Sequence, residues 1–293
     1  IKMGKINIVI GTHAIIQSNI KFKNLRLAII DEQHRFGVYQ RLELSKKSPN
    51  TDFMVMTATP IPRTLVLTDY GDMDISIIHS KPENRPEIKT ISVSIPRMNE
   101  VVKAISRAIK NEEQIYWVCP LVDESEKLAL QSVNNRLIDL KKYFKAEQVD
   151  MVHGQMSQDQ KNKIMLNFTK GDTKILIATS VIEVGIDDPD ATVMIIENAE
   201  RYGLSQLHQL RGRVGRGKHQ SYCVLIAESP NPDAQNRMEI LHRVSDGFAL
   251  AVEDMNMRGT GVYLGTRQSG QEIFKVASLS DHDILSFCLL YTS

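Results

Sequence analysis

Three short stretches hold residue types that could do chemistry on phosphate. The first is Asp31-Glu32-Gln33-His34, which closes the apolar run Ala28-Ile29-Ile30. In a parallel α/β sheet, the carboxyl end of a strand faces the ligand crevice. Asp31 could hold Mg²⁺ there, directly or through water, because Mg²⁺ prefers oxygen ligands. Glu32 would then be placed to orient or deprotonate an attacking water. An acidic helix N-terminus stabilised by the helix dipole accounts for the same pair without chemistry, and the pair alone does not choose. The second stretch is Thr57-Ala58-Thr59-Pro60, after the next apolar run. Hydroxyl groups at a strand end can couple a nucleotide site to a neighbouring surface through hydrogen bonds. A helix N-cap followed by proline in the first turn fits equally well. The third stretch, from Gln209 to Gly217, reads QLRGRVGRG, with three arginines spaced two and three apart among glycines. Arginine stays charged and matches phosphate oxygens bidentately, and glycine lets the backbone approach closely. The pattern suits arginine fingers that reach a γ-phosphate supplied by another domain. A basic surface loop is the plainer alternative.

The elements that must position these residues follow from hydrophobic pattern. Apolar runs predict strands at Ile6–Ile10, Leu27–Ile30, Phe53–Met56, Ile91–Ile95, Ile115–Cys119, Val149–Val152, Ile175–Ala178, Val193–Ile196 and Tyr222–Ile226. Several are apolar at nearly every position, as expected where helices cover both faces of a sheet. Helical patterns lie between many of them, at Met98–Lys110, Ser125–Phe144 and Gln158–Thr169. The alternation predicts an α/β fold with parallel sheets. The stretch SKPENRP, Ser80 to Pro86, is the best linker candidate because of its two prolines. Before it lies an incomplete α/β unit of about three strands, and after it a fuller one of about six. From Pro230 the pattern turns helical, then glycine-rich at Gly259, Gly261, Gly265 and Gly270.

The 293 residues are 42% hydrophobic and 24% charged with a net charge of +1, the balance of a globular protein of about two domains. Net charge therefore points to no partner, but local charge does. Between Arg201 and Gln220 stand Arg201, Arg211, Arg213, Arg216 and Lys218, with no Asp or Glu. Such a block suits a polyanion, or simply a solvated basic face. Cys119, Cys223 and Cys288 lie far apart without a CxxC pair, which argues against a zinc site or a disulfide framework. Cys119 and Cys223 fall in apolar runs and are expected in the core. No apolar run is long enough for a membrane span, and no targeting pattern precedes the first apolar run. Cytoplasmic location is the expectation. The final SFCLLYTS, residues 286–293, lacks a helix cap or stop and is expected to be a non-native tail.

Taken together, DEQH at 31–34, TATP at 57–60, ATSVIEVGID at 178–187 and QLHQLRGRVGRG at 206–217 resemble the ordered motifs of superfamily-two helicases. The longer forms DEQHRFGV at 31–38, TATPIPRTL at 57–65 and RGTGVYLGTRQSG at 258–270 resemble the RecG family of bacterial replication-fork helicases. The last is also similar to the transcription-repair coupling factor Mfd, which usually has Glu where this chain has Gln33. The resemblance runs from about residue 5 to about residue 285 and implies two RecA-like domains with ATP between them. Residues 1–80 would be the C-terminal part of the first, 81–90 a linker, 91–229 the complete second, and 230–285 a helical hairpin and hook.

The resemblance also implies roles. Asp31 and Glu32 fall in the Walker B site, with Mg²⁺ on Asp31. Thr57 and Thr59 fall in the motif linking ATP state to DNA, and His34 is assigned to the same coupling. Thr12 and His13 fall in a DNA-backbone motif. Gly185 and Asp187 lie near the ribose and the DNA backbone. Gln209, Arg213 and Arg216 reach the phosphates, the two arginines as fingers. Arg258, Arg267 and Gln268 connect domain motion to translocation. The implied activity is ATP hydrolysis coupled to translocation on double-stranded DNA, for fork reversal and Holliday-junction branch migration. Forks and Holliday junctions are the implied partners, with single-stranded-DNA-binding protein as a further one, in a nucleoid-associated setting. One departure matters: the phosphate loop GxxxxGK[ST] does not occur in these 293 residues, so this chain by itself is expected not to hydrolyse ATP. An Mfd-like translocase and a non-catalytic DNA-binding module are the rival readings.

Overall fold

The computed structural model describes residues 1–17, 19–31, 47, 50–57, 74, 76–78, 85–120, 126–179, 188–228 and 231–258. They fall into two compact units, Ile1–Pro60 and Ile61–Ser293.

In the first unit, β1 (Leu27–Ile30) and β2 (Asp52–Val55) pair in parallel, with Ile30 opposite Val55. Met56 N–H continues the ladder to Ile30 O at 2.8 Å. A 3-10 turn, His13–Ile16, precedes them. Lys47 Nζ donates to Gln17 O and Ile20 O at 2.6 and 2.7 Å, satisfying carbonyls just after that turn. The expected strand at Ile6–Ile10 does not form: these residues are irregular, with Ile8 80% and Ile10 93% exposed. An apolar run becomes a strand only where a neighbour supplies the ladder, and no described strand pairs with it.

The second unit is a six-stranded, all-parallel sheet in the order β3-β8-β7-β4-β6-β5. Its strands are β3 (Lys89–Ser94), β4 (Gln114–Cys119), β5 (Val149–Val152), β6 (Ile175–Thr179), β7 (Ala191–Glu197) and β8 (Tyr222–Ala227). The helices are α1 (Met98–Lys110), α2 (Glu126–Leu140), α3 (Gln158–Thr169), α4 (Leu204–Arg211), α5 (Pro232–Arg243) and α6 (Gly247–Arg258). Every residue of β4, β6 and β7 is buried, because helices cover both faces. Alternate residues serve the two faces, as strand geometry requires. Ile115, Trp117, Ile175, Ile177 and Ile195 pack with Val101 and Ile105 of α1 and Val133 of α2. Tyr116, Val118, Leu176, Met194 and Ile196 pack with Phe168 of α3, Leu207 of α4, Leu241 of α5 and Leu250 of α6. Cys119 and Cys223 lie fully buried in these cores, as expected. Burial pushes the Cys223 thiol up to about 12 and the Cys119 thiol still higher.

Helix α2 is shorter than its sequence pattern, ending at Leu140 rather than Phe144. The chain turns there with Tyr143 N–H and Phe144 N–H both on Leu140 O at 3.0 Å. No helix of the described residues is long and apolar enough to cross a membrane.

Candidate functional site

Asp31 follows β1 directly and Thr57 follows β2 by two residues, so parallel pairing brings both to the same end of the two-stranded sheet. Both are exposed and both take part in polar interactions. This is the carboxyl end, where α/β proteins hold ligands. Thr12 is exposed at the start of the 3-10 turn, and His13 is its first residue. The side chain of His13, and all of Glu32, His34 and Thr59, lie outside the described residues. Among those that are described, no group of three His, Cys, Asp or Glu side chains could hold a metal ion. Asp31, the expected Mg²⁺ ligand, is described and exposed.

The arginine motif is described in full. Helix α4 carries Gln209 in its last turn, half-buried, and ends on Arg211. A tight turn follows, with Gly212 N–H on His208 O at 2.9 Å and Arg213 N–H on Leu210 O at 3.0 Å. Val214 N–H returns to Arg211 O at 3.3 Å, and the Val214 side chain is buried in the core. Gly215 has φ +77°, and a Cβ there would sit 2.7 Å from Ile88 Cγ1. A Cβ on Gly217 would overlap the Pro189 carbonyl oxygen. Ile88 precedes β3 and Pro189 precedes β7, so the turn is wedged against the amino-terminal edge of the sheet. Glycine at these two positions lets the backbone fit that edge. Arg213 and Arg216 are half-buried on this turn; Arg216 Nε lies 3.4 Å from Gly212 O and has a further interaction.

The three arginines of the motif do not share one environment. Arg211 is 4% exposed and points inward. Its Nη1 donates to Leu241 O at 2.8 Å and to Val244 O at 3.2 Å, and its Nη2 to Val244 O at 3.2 Å and His208 Nδ1 at 3.0 Å. Burial lowers its pKa from the usual arginine value, against small opposing effects of Cys223 and Glu87. Its charge is held by the carbonyls at the end of α5, where the helix leaves acceptors unsatisfied.

A second cluster was not anticipated from sequence. Glu197 ends β7 at 7% exposure. It accepts from Trp117 Nε1 at 2.5 Å and forms an ion pair with Arg136 of α2. The Arg136 guanidinium also lies over the Trp117 ring, 5.3 Å from its centroid. A signal did exist: the chain has a single Trp, inside an all-buried strand, and a buried indole N–H needs an acceptor. Asn198 then takes a left-handed conformation at φ +48°, which turns the chain into the 3-10 segment Ala199–Arg201 ahead of α4. Tyr202 is buried with no hydrogen-bond partner for its hydroxyl among the described residues, and burial raises its pKa far above the usual phenol value, with Cys119 and Glu197 adding to the effect. Arg201 and Tyr202 of this stretch line a pocket of about 740 Å³ together with Asp233 and Arg237 of α5 and Glu253 of α6. Of the other expected site residues, Arg258 ends α6, while its side chain and all of Gly185, Asp187, Arg267 and Gln268 lie outside the described residues.

Residues 1–67 match the DEAD/DEAH box helicase family, and residues 97–218 match the helicase conserved C-terminal domain. The chain is 48% identical over 285 residues to the ATP-dependent DNA helicase RecG of Pasteurella multocida, covering 95% of this chain and 41% of that protein. It is 45% identical over 280 residues to the RecG of Bacillus subtilis, covering 94% of this chain and 41% of that protein. The chain thus spans about two-fifths of the length of these relatives. Among solved structures, RecG bound to a three-way DNA junction matches with a TM-score of 0.71 at 41% identity, covering 97% of this chain and 36% of that one. Saccharomyces cerevisiae Dbp5 bound to RNA and ADP BeF3 matches at a TM-score of 0.51 and 11% identity, covering 91% of this chain and 63% of that one, a likeness of fold alone. Over the residues it spans, the chain belongs to the RecG family of helicases.

Proposed function

We propose that this chain is the motor region of an ATP-dependent DNA translocase that remodels branched double-stranded DNA. The observation that carries the reading is the identity of 45–48% over nearly the whole chain to proteins named ATP-dependent DNA helicase RecG. The related structure on a three-way junction supports branched DNA as the substrate. Residues 1–80 and 91–229 would form the two halves of the ATP cleft, and 230–285 the coupling hairpin and hook.

Asp31 would hold Mg²⁺ and Glu32 would orient the attacking water. Arg213 and Arg216 would stabilise charge on the transferred phosphoryl group, with Gln209 beside them. Wedging the arginine turn between Ile88 and Pro189 supports that role, because a finger must be fixed before the reaction to be effective. Gly185 and Asp187 would meet the ribose and the DNA backbone. Thr12, His13, His34, Thr57, Thr59, Arg258, Arg267 and Gln268 would pass the nucleotide state to DNA. Contacts to phosphates make the grip salt-sensitive and largely independent of base sequence. Fork reversal and Holliday-junction migration are the proposed outcomes, with single-stranded-DNA-binding protein a proposed partner near the nucleoid.

The test uses the intact protein with fork DNA. Glu32→Gln is expected to bind ATP normally and hardly turn it over, and Arg216→Ala to lower kcat about 10³-fold. Loss of ATP binding in step with the rate would make Glu32 structural. Unchanged DNA-dependent ATPase in both variants would sink the reading.

A further inference from the structure

We infer that Arg211 is a positioning residue, which ties the finger-bearing turn to the end of α5 so that the α5–α6 pair sets where Arg213 and Arg216 stand. The inference rests on the finger role proposed above.

Its basis is the contrast between Arg211 and the ordinary ways of ending a helix. Helix α5 ends at Arg243, and its last carbonyls could be satisfied by water, a glycine turn or a surface lysine. They are met instead by a buried guanidinium from another helix, 30 and 33 residues away in sequence. Burying a charge costs several kcal/mol unless hydrogen bonds compensate it. Among the described residues no carboxylate forms an ion pair with Arg211; its partners there are two carbonyls and the His208 ring. The fixed fork of guanidinium donors meets both carbonyls at once, which a lysine ammonium does not reproduce.

The turn is then hung from the same residue. Val214 N–H bonds to Arg211 O, so Arg211 holds α5 through its side chain and the turn through its backbone. Arg213 is two residues on and Arg216 five. Beyond α5, Arg243 pairs with Glu253 of α6 at 3.3 Å, and Ala249 N–H caps on Asp246 Oδ1 at 2.9 Å. Leu250 of α6 packs in the core with Leu207 and Leu210 of α4. A displacement of the α5–α6 pair therefore acts on Arg211 directly, and the wedged glycines leave the turn little freedom to absorb it. A shift of about 1 Å in a group aligned with a reacting phosphate can cost about 10²-fold in rate.

The test is a double-mutant cycle in the intact protein, read as ATPase kcat with fork DNA, KM for ATP and the thermal midpoint. Arg211→Met is expected to lower kcat 10- to 100-fold with KM for ATP within about twofold, and Arg211→Lys to fall between Met and wild type. In an Arg216→Ala background, Arg211→Met is expected to add less than about a twofold loss, because the finger it positions is gone. If Arg216→Ala leaves kcat unchanged, the cycle is run with Arg213→Ala. An equal fold-loss in both backgrounds overturns the inference, since an effect on folding multiplies with any other. An unchanged kcat in Arg211→Met overturns it while the finger assignment stands. If neither Arg213→Ala nor Arg216→Ala lowers kcat, the turn has no catalytic part and the inference falls with the reading. Should Arg211→Met fail to fold, Arg211→Lys serves in the same cycle with the same outcomes.

Discussion

Glu197 holds three functions on one carboxylate: acceptor for Trp117, counter-ion for Arg136, and last residue of β7 before a left-handed turn. Removing its charge leaves Arg136 unpaired, and breaking a buried pair is costly chiefly through the partner left behind. Arg136 keeps some contact with water, with 24% of its side chain exposed, so the cost falls below that of a fully buried pair. Glu197→Gln keeps an acceptor for the indole and is expected to destabilise this chain by about 2 kcal/mol. Glu197→Ala should cost more, because a buried donor then goes unsatisfied. Denaturant titration followed by Trp117 fluorescence measures both. Equal stabilities for Gln, Ala and wild type would show that the carboxylate is incidental. The same comparison explains why this residue was not legible in the sequence. Its partners are 80 residues away on β4 and 61 residues away on α2, and only the strand order brings them together. The arginine turn was legible because its glycines and arginines are adjacent. Even so, sequence did not distinguish the inward Arg211 from its two neighbours, since inward direction depends on where α5 ends.

At the scale of elements, strands with both faces covered announced themselves, and the six strands of the second unit lie within two residues of the apolar runs. The run Ile6–Ile10 has the same composition without a described partner strand, and composition alone does not reveal that difference. Helix ends depend on caps. Helix α3 begins at the expected Gln158 because Ser157 closes a capping box. Ser157 Oγ accepts from Gln160 N–H at 3.3 Å, while Ser157 N–H donates to Gln160 Oε1 at 3.0 Å. Ser157→Ala is expected to cost about 1 kcal/mol and to fray the first turn. Amide hydrogen exchange reads this locally: Gln160 should lose about fivefold in protection while β6 amides change less. Uniform loss across the unit, or none at Gln160, would count against a local cap.

At the scale of the molecule, the strand order of the second unit has a reversal between β4 and β7. From β4 the chain continues to β5 on one side, and from β7 to β8 on the other. Such a reversal opens a crevice at the carboxyl ends of the two strands, where α/β proteins often seat a ligand. In this unit Cys119 ends β4 and Glu197 ends β7, Trp117 stands two residues before Cys119, and all three are buried, with Glu197 and the Trp117 ring against Arg136. The Trp117 ring packs close to this point, in the core with Val101 and Ile105 of α1 and Val133 of α2, in the manner of a built-in ligand. A built-in ligand can be made removable. Trp117→Gly would leave a flat cavity that keeps Glu197 as acceptor and the Arg136 guanidinium as one wall, at a cost of about 3–5 kcal/mol. Free indole should refill it and restore about 2.7 kcal/mol at a hundred times its Kd, whereas indene, which has the shape but no N–H, should restore less. Thermal melts of the variant with each compound decide the matter; equal rescue by both would mean that shape alone is recognised. If indole does return the unit to its native form, the variant's folding, and the proposed motor with it, comes under the control of a small molecule added from outside.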